Sequence, residues 1–172
     1  RYLTKRTGLD AAVSFESGSA LDLPFAENRF DVAMLQHVAM NIHDRSRLYG
    51  EIRRVLKQGG RFATFDVVAQ QGEPLFPAPW ARSPAASFLL SADATRAAIE
   101  QAGFRVLEWK DDTDSAKAWV MQLRESGPPP APNLGLVMGP DFPVLIGNLG
   151  RSLMEGRVGI VMAVFEAVPV AG

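Results

Sequence analysis

The sequence predicts an α/β fold built on one largely parallel sheet, and three observations carry this prediction. Strand-like and helix-like segments alternate along the chain, most of the connections between them are short, and an apolar strand segment is followed by an amphipathic helix and a second strand. A strand, a helix and a strand joined in this way form a βαβ unit, whose two strands are parallel and whose crossover is right-handed.

The first half of the chain contains this unit. Residues 12–16 and 30–35 are strand candidates, and the second is apolar on both faces, which predicts helices on both sides of it. Asp44 is a plausible N-cap for a helix that Gly59 and Gly60 would end, and residues 61–68 form the next strand. One apolar stripe runs along that helix, and its other face is charged; the stripe consists of Leu48, Ile52, Val55 and Leu56.

The second half begins with a proline-rich segment, residues 70–90, which we interpret as a lid or substrate loop. Ser91 caps a helix that reaches about residue 102, and a strand follows at 104–111. A helix at 115–125 carries Trp119 on its predicted core face. After it come a Pro/Gly loop at 127–140, a helix capped by Asp141 and a final strand at 157–168.

Length, composition and charge are those of one globular domain. The chain has 172 residues, of which 47% are hydrophobic and 22% charged, and this is enough for a buried core. The formal net charge of −1 offers no positive field to a phosphate backbone, so we expect no nucleic-acid partner. The longest apolar run is far shorter than the roughly 20 residues of a spanning helix, and no signal-peptide pattern opens the chain. We therefore expect a cytoplasmic protein without a membrane partner.

The inventory of reactive side chains narrows the possible chemistry. The chain has no cysteine, which excludes disulfides, thiolate metal sites and a cysteine nucleophile. Its only two histidines are His37 and His43, which argues against a zinc site built on several imidazoles. We therefore expect no metal site.

An ordered set of short motifs carries a family resemblance. The motifs are GSALDLPF at 18–25, NRFDV at 28–32, QH at 36–37 and EIRRVLKQGG at 51–60. In this order they resemble the small-molecule branch of the class I S-adenosylmethionine-dependent methyltransferases. QHVAMNI at 36–42, Trp80 in the proline-rich segment and EGR at 155–157 resemble the sarcosine/dimethylglycine-type enzymes. The resemblance implies a Rossmann-like sheet of parallel strands with an antiparallel C-terminal strand.

The resemblance also implies a site for S-adenosylmethionine and a small-molecule methyl acceptor. Ligands of open α/β sheets bind at the carboxyl ends of the strands, and residues 18–21 and 36–37 each follow a strand candidate. Gly18, Ser19, Ala20 and Leu21 would face the adenine, whereas Gln36 and His37 would lie near the methionine end and the transferred methyl group. The implied catalytic residues are His37, as the proton acceptor, and Asp66, which would orient the acceptor or a base. The implied acceptor contacts are Trp80 and Asn41.

Each of three of these side chains could instead have a purely structural role. His37 could be a polar residue at a strand end without a chemical task, and Asp66 could cap a turn. Trp80 could pack the proline-rich segment onto the core.

Two features depart from the family pattern. Ser19 stands where the family usually has Asp, and no Gly-x-Gly-x-Gly loop occurs in the chain. Residues 1–10 resemble the end of the helix after the family's second strand, so the resemblance implies a single partial domain over residues 1–172, in an incomplete sheet whose first two strands lie upstream of Arg1. We then expect this chain alone to bind S-adenosylmethionine weakly or not at all. We also expect a homo-oligomer, domain-swapped or edge-paired, with an apolar interface around residues 30–35.

Two functions fit these observations. The first is the C-terminal part of a methyltransferase that transfers a methyl group to a nitrogen, oxygen or carbon nucleophile of a small molecule. The second is a non-catalytic, truncated module of the same fold that forms a dimer or assembly interface. A doubly wound nicotinamide-dependent dehydrogenase needs the same missing glycine loop and is not favoured by the LPF and KQGG segments.

Overall fold

A computed structural model, which describes residues 2–127 and 134–169, places four strands in one mixed sheet. In chain order the strands are β1 (Phe30–Gln36), β2 (Leu56–Ala69), β3 (Phe104–Asp111) and β4 (Val158–Ala167). Their order in the sheet is β1-β2-β4-β3, with β1 parallel to β2 and β4 antiparallel to both β2 and β3. The predicted α/β class and the antiparallel C-terminal strand are confirmed.

Six α-helices lie between or beside these strands in the described ranges. They are α1 (Tyr2–Arg6), α2 (Arg45–Val55), α3 (Ala92–Gln101), α4 (Thr113–Ser126), α5 (Gly135–Met138) and α6 (Phe142–Met154). Within residues 70–90 the chain forms a short 3-10 turn, Pro84–Ala86, and an isolated bridge between Ala78 and Ala81. The predicted Pro/Gly loop at 127–140 includes α5, and its residues 128–133 lie outside the described part of the chain. None of the described helices is both long and apolar enough to cross a bilayer.

The unit formed by β1, α2 and β2 follows the sequence prediction at its start and departs from it at its end. The Asp44 carboxylate caps α2 by accepting a hydrogen bond from the Arg47 amide at 2.8 Å. The helix ends at Val55, however, and not at the glycine pair, because Leu56 already pairs with Phe30 in the sheet. Gly59 follows with φ +75°, a conformation that glycine adopts without strain.

The strand predicted at residues 12–16 is wrong. The segment is exposed and belongs to no strand, because no neighbouring strand among the described residues accepts its backbone hydrogen bonds. Alternating apolar residues are not sufficient to form a strand when no neighbouring strand is available for backbone hydrogen bonding.

Helix cover on both faces of β1 is also wrong for the described residues. Val32 and Met34 are 61% and 74% exposed, whereas Ala33 and Leu35 pack against the core. β1 is an edge strand of the sheet, and one of its two faces carries exposed apolar side chains.

Two apolar cores cover the two faces of the central strands. Phe62, Phe104 and Phe165 pack with α2 and α3 on one face, where Phe62 and Phe165 stack at 6.0 Å between ring centroids. Val67 and Ile160 belong to the second core, together with residues of α4 and α6. The second core is incomplete and leaves a cavity beside the sheet.

Candidate functional site: an apolar cavity at the end of β1

The cavity has a volume of about 640 Å³, which lies in the range of ligand pockets. It lies where β1 ends and beside β2, so it is at the carboxyl edge of the parallel strand pair. The segment after β1, strands β2 and β4, residues 79–80 and helices α4, α5 and α6 supply the walls. The lining residues are His37, Met40, Asn41, Phe65, Val67, Pro79, Trp80, Asp112, Ser115, Ala116, Trp119, Leu134, Met138, Phe142, Ile146, Leu149, Leu153 and Ile160.

His37 is the first residue beyond β1, and it lines this cavity. It adopts φ +51°, which few residues other than glycine adopt, while its amide donates to the Phe65 carbonyl at 2.9 Å and continues the ladder. The imidazole packs against the Phe65 ring with 4.9 Å between centroids. This partial burial lowers the pKa of His37 below its usual 6.5, because desolvation disfavours the charged imidazolium. His37 is therefore neutral at pH 7 and able to accept a proton.

Asn41 lines the cavity from the short 3-10 turn Ala39–Asn41, close after His37. Its side-chain amide donates to the Val38 carbonyl at 3.2 Å. Among the described residues, no donor binds the side-chain amide oxygen of Asn41. This oxygen is therefore available to a ligand.

Two tryptophans form aromatic walls. The indole N–H of Trp80 donates to the Ser87 hydroxyl at 2.9 Å, so the side chain presents only apolar surface to the cavity. Trp119 lines the cavity as well and is 53% exposed, so its predicted place in the core is wrong. In α4 the buried side of the stripe is formed by Val120, and Trp119 lies at the edge of that stripe.

Asp66 does not line the cavity. Because side chains alternate along a strand, Phe65 and Val67 face the cavity and Asp66 faces the core on the other side of β2. There Asp66 is 2% exposed, and its carboxylate accepts a hydrogen bond from the Ala39 amide at 3.0 Å. Burial raises the pKa of Asp66 to about 6, against the lowering effects of that hydrogen bond and of Arg45. Through this hydrogen bond Asp66 holds the start of the turn that carries Asn41.

The segment expected to face the adenine forms a defined turn at the surface. The Ser19 hydroxyl accepts a hydrogen bond from the Leu21 amide at 3.1 Å, and the Asp22 amide donates to the Ser19 carbonyl at 3.1 Å. At Gly18 an added Cβ would lie 2.8 Å from the ring of Pro24, so only glycine fits there without a shift. In the described part of the chain, the Ala20 amide has no hydrogen-bond acceptor. Residues 18–21 thus form a turn in which Ala20 and Leu21 pack against the core and the Ala20 amide is unused by the described residues.

Glu51 attaches this segment to α2, a role that the sequence prediction missed. Its carboxylate accepts hydrogen bonds from the Leu23 amide at 2.8 Å and from the Arg54 guanidinium at 2.7 Å. Arg54 in turn donates to the Leu23 and Phe25 carbonyls at 3.0 and 2.7 Å. The Arg54 hydrogen bond lowers the pKa of Glu51 to about 2. The sequence around Glu51 does not predict this role, because Glu51 is buried only when residues 18–25 fold onto the charged face of α2.

Gln36, the last residue of β1, is exposed and lies opposite Phe65 in the register with β2. It does not line the cavity, whereas its neighbour His37 does. The predicted site residues therefore fall into two groups: His37, Asn41 and Trp80 surround the cavity, and residues 18–21 and Gln36 lie outside it.

Acidic side chains do not gather into a metal site in the described ranges, where no group of three or more potential ligands occurs. Near the start of α4, Asp111 accepts a hydrogen bond from the Thr113 amide at 2.9 Å. Asp112 forms an ion pair with Lys110 at 2.6 Å. These carboxylates therefore have partners within the chain.

Comparison with known proteins shows a similarity to methyltransferases. Residues 1–64 match the family model described as a methyltransferase domain. A sterol 24-C-methyltransferase of Kluyveromyces lactis is 32% identical over 133 residues, covering 71% of this chain and 35% of that protein. A glycine/sarcosine/dimethylglycine N-methyltransferase of Actinopolyspora halophila is 38% identical over 69 residues, covering 40% of this chain and 12% of that protein. The chain thus spans about a third of the first relative and about an eighth of the second.

A solved structure agrees with the fold. Geranyl diphosphate C-methyltransferase from Streptomyces coelicolor A3(2) superimposes with a TM-score of 0.72 at 18% identity, over 96% of this chain and 57% of that chain. At this identity the similarity shows a shared fold, including the mixed sheet described above.

Proposed function

We propose that this chain, as a member of the class I S-adenosylmethionine-dependent methyltransferases, supplies the acceptor pocket for methyl transfer to a small molecule. The main support for the proposal is the position of His37. This residue directly follows β1, has a left-handed backbone conformation and lines the 640 Å³ cavity. A group that can accept a proton is thereby held at the strand edge where open α/β sheets bind their ligands.

The residues present fit the cofactor on one side. The turn at residues 18–21 carries the exposed side chain of Ser19 and the Ala20 amide, which has no acceptor among the described residues, and together these groups can bind the edge of an adenine. When bound, S-adenosylmethionine supplies an electrophilic methyl group on a sulfonium, whose carbon–sulfur electron pair remains on the sulfur. Because Ser19 is neutral and the edge of β1 is uncovered, we expect the chain by itself to hold this cofactor weakly.

His37 has the properties of a general base for the acceptor. As the acceptor's lone pair forms the new bond to the methyl carbon, the acceptor loses a proton, and the neutral imidazole is placed to take it. Asn41 lies beside it on the same wall and can donate or accept a hydrogen bond to orient the nucleophile. Asp66 would act indirectly, as a positioning residue that holds the turn of Asn41 through the Ala39 amide.

Transfer of a labelled methyl group tests the proposal. The native protein that carries this sequence is incubated with tritiated S-adenosylmethionine and a panel of small-molecule alcohols, phenols and amines. We expect label in an organic-soluble product together with stoichiometric S-adenosylhomocysteine. Absence of transfer to every acceptor class, with the protein folded and saturated with cofactor, would contradict the proposal.

A second function, an assembly module, is favoured by the exposed edge of the sheet. Met34 and Val32 are exposed on β1, whose outer backbone edge has no strand beside it in the described ranges. An exposed apolar edge strand is a template for pairing, and a second copy of β1 would cover it.

Replacing Met34 by Lys tests this assembly. A charged side chain on an edge strand opposes pairing, so M34K is expected to sediment as a monomer while the unmodified protein sediments as a dimer. L107K is the matched control, because Leu107 is 43% exposed on β3, the opposite edge of the sheet. A monomeric unmodified protein, or equal dissociation by both variants, would exclude pairing through β1.

A further inference from the structure

Resting on the methyl-transfer function proposed above, we infer that the acceptor is a neutral, largely apolar molecule that offers one small polar group to His37 and Asn41. The volume of the cavity equals that of about 20 water molecules at about 30 Å³ each. It can therefore hold a hydrocarbon-rich molecule much larger than an amino acid.

Every element that contributes to the walls supplies apolar side chains. The sheet supplies Phe65, Val67 and Ile160, and α6 supplies aliphatic side chains and Phe142. The one N–H of Trp80 is already bound to Ser87, so this wall offers no donor to a ligand. A polar ligand would lose its hydration here without new hydrogen bonds, whereas an apolar ligand would be stabilised by burial.

The charges around the cavity exclude an anionic acceptor. Among the described lining residues there is no lysine or arginine, and the one carboxylate, Asp112, is compensated by Lys110 at 2.6 Å. The buried guanidinium of Arg45 donates to Tyr49 and to the Phe88 carbonyl and does not line the cavity. A carboxylate or phosphate inside the cavity would therefore be a buried charge without a cation.

The polar groups of the cavity are few and indicate how the ligand is oriented. His37 and Asn41 lie within five residues of one another after β1, at the edge where the transferred methyl group must arrive. The remaining polar side chains, Asp112 and Ser115, belong to the start of α4. A ligand with one hydroxyl-sized group bound by His37 and Asn41 leaves its apolar body against Trp80 and Trp119.

A displacement assay that needs no cofactor tests this inference separately from methyl transfer. The neutral fluorescent probe N-phenyl-1-naphthylamine is titrated into the protein and then displaced by 1-decanol or by decanoate at pH 8. We expect saturable binding of one probe per chain and displacement by decanol at a concentration about tenfold or more below that of decanoate.

Two variants locate the binding. W119A removes an aromatic wall and is expected to weaken probe binding by about tenfold. M121A is the control, because Met121 lies on the same helix with 50% exposure against 53% for Trp119, yet does not line the cavity. Its affinity should equal that of the unmodified protein.

Three results would overturn the inference. The first is absence of probe binding, the second is equal displacement of the probe by decanoate and decanol, and the third is equal probe affinity of W119A and the unmodified protein. None of these results bears on whether a methyl group is transferred. Conversely, a failure of transfer with normal probe binding would overturn the proposed function and leave the apolar binding site in place.

Discussion

Substitution of His37 by Asn is expected to lower the rate of methyl transfer by about 10²- to 10⁴-fold, the range typical of a lost general base. Asn tolerates the left-handed backbone that His37 adopts at φ +51°, so the fold should persist while the basic nitrogen is lost. H43N is the control, because His43 packs its ring against Phe88 and does not line the cavity.

The pH profile of the same reaction separates a base from a merely structural residue. The lowered pKa of His37 means that the imidazole is neutral above a pH that lies below 6.5 and protonated beneath it. The rate should therefore fall as the pH decreases through this lowered pKa and be level above it. In H37N this decrease in rate at low pH should be absent. If H37N keeps the decrease, or if its rate falls by less than about threefold, a group other than His37 accepts the proton.

Substitution of Glu51 by Ala is expected to reduce the free energy of unfolding by about 3 kcal/mol at pH 7, because it leaves partners of a buried carboxylate unpaired. Glu51 is only 5% exposed, and its loss leaves the Leu23 amide and the Arg54 guanidinium without their acceptor. The measurement is urea unfolding. E100A is the control, since the ion pair of Glu100 with Arg96 is exposed on α3 and should contribute only about 0.5 kcal/mol.

The difference between E51A and the unmodified protein should also depend on pH. The pKa of Glu51 is held at about 2 in the folded state, below its ordinary value of 4.5. A carboxyl group with a depressed pKa stabilises the fold at pH values above its unfolded pKa, and this contribution is lost as the pH falls towards the folded pKa. The two proteins should therefore become closer in stability between pH 7 and pH 3. A difference that is constant over this range would show that the Glu51 carboxylate charge does not stabilise the fold.

The local elements of the fold were predictable because their signals lie within a few residues. Asp44 and Ser91 cap α2 and α3 as their side chains predict, accepting hydrogen bonds from the Arg47 and Ala94 amides. The end of α2 was not predictable from the glycine pair, because the pairing of Leu56 with β1 ends the helix before Gly59.

Features that depend on distant partners were the ones missed. The segment at 12–16 has the alternation of a strand but no strand beside it in the described residues, and Glu51 is buried only because residues 18–25 fold onto α2. For the candidate site, the resemblance placed His37, Asn41 and Trp80 together, and all three line one cavity. Residues such as Met40 and Ile146 complete the same cavity. The sequence does not predict this, because apolar residues that line a pocket cannot be distinguished by sequence from apolar residues of a core.

A crystal structure of the native protein with S-adenosylhomocysteine and 1-decanol would show whether His37 binds the hydroxyl group of an apolar acceptor. We expect the alcohol oxygen to lie within about 2.6–3.2 Å of a ring nitrogen of His37, with the alkyl chain extending along Trp80 and Phe65 into the cavity. Decanol bound elsewhere on the protein, or bound in the cavity with its hydroxyl directed away from His37, would contradict this expectation.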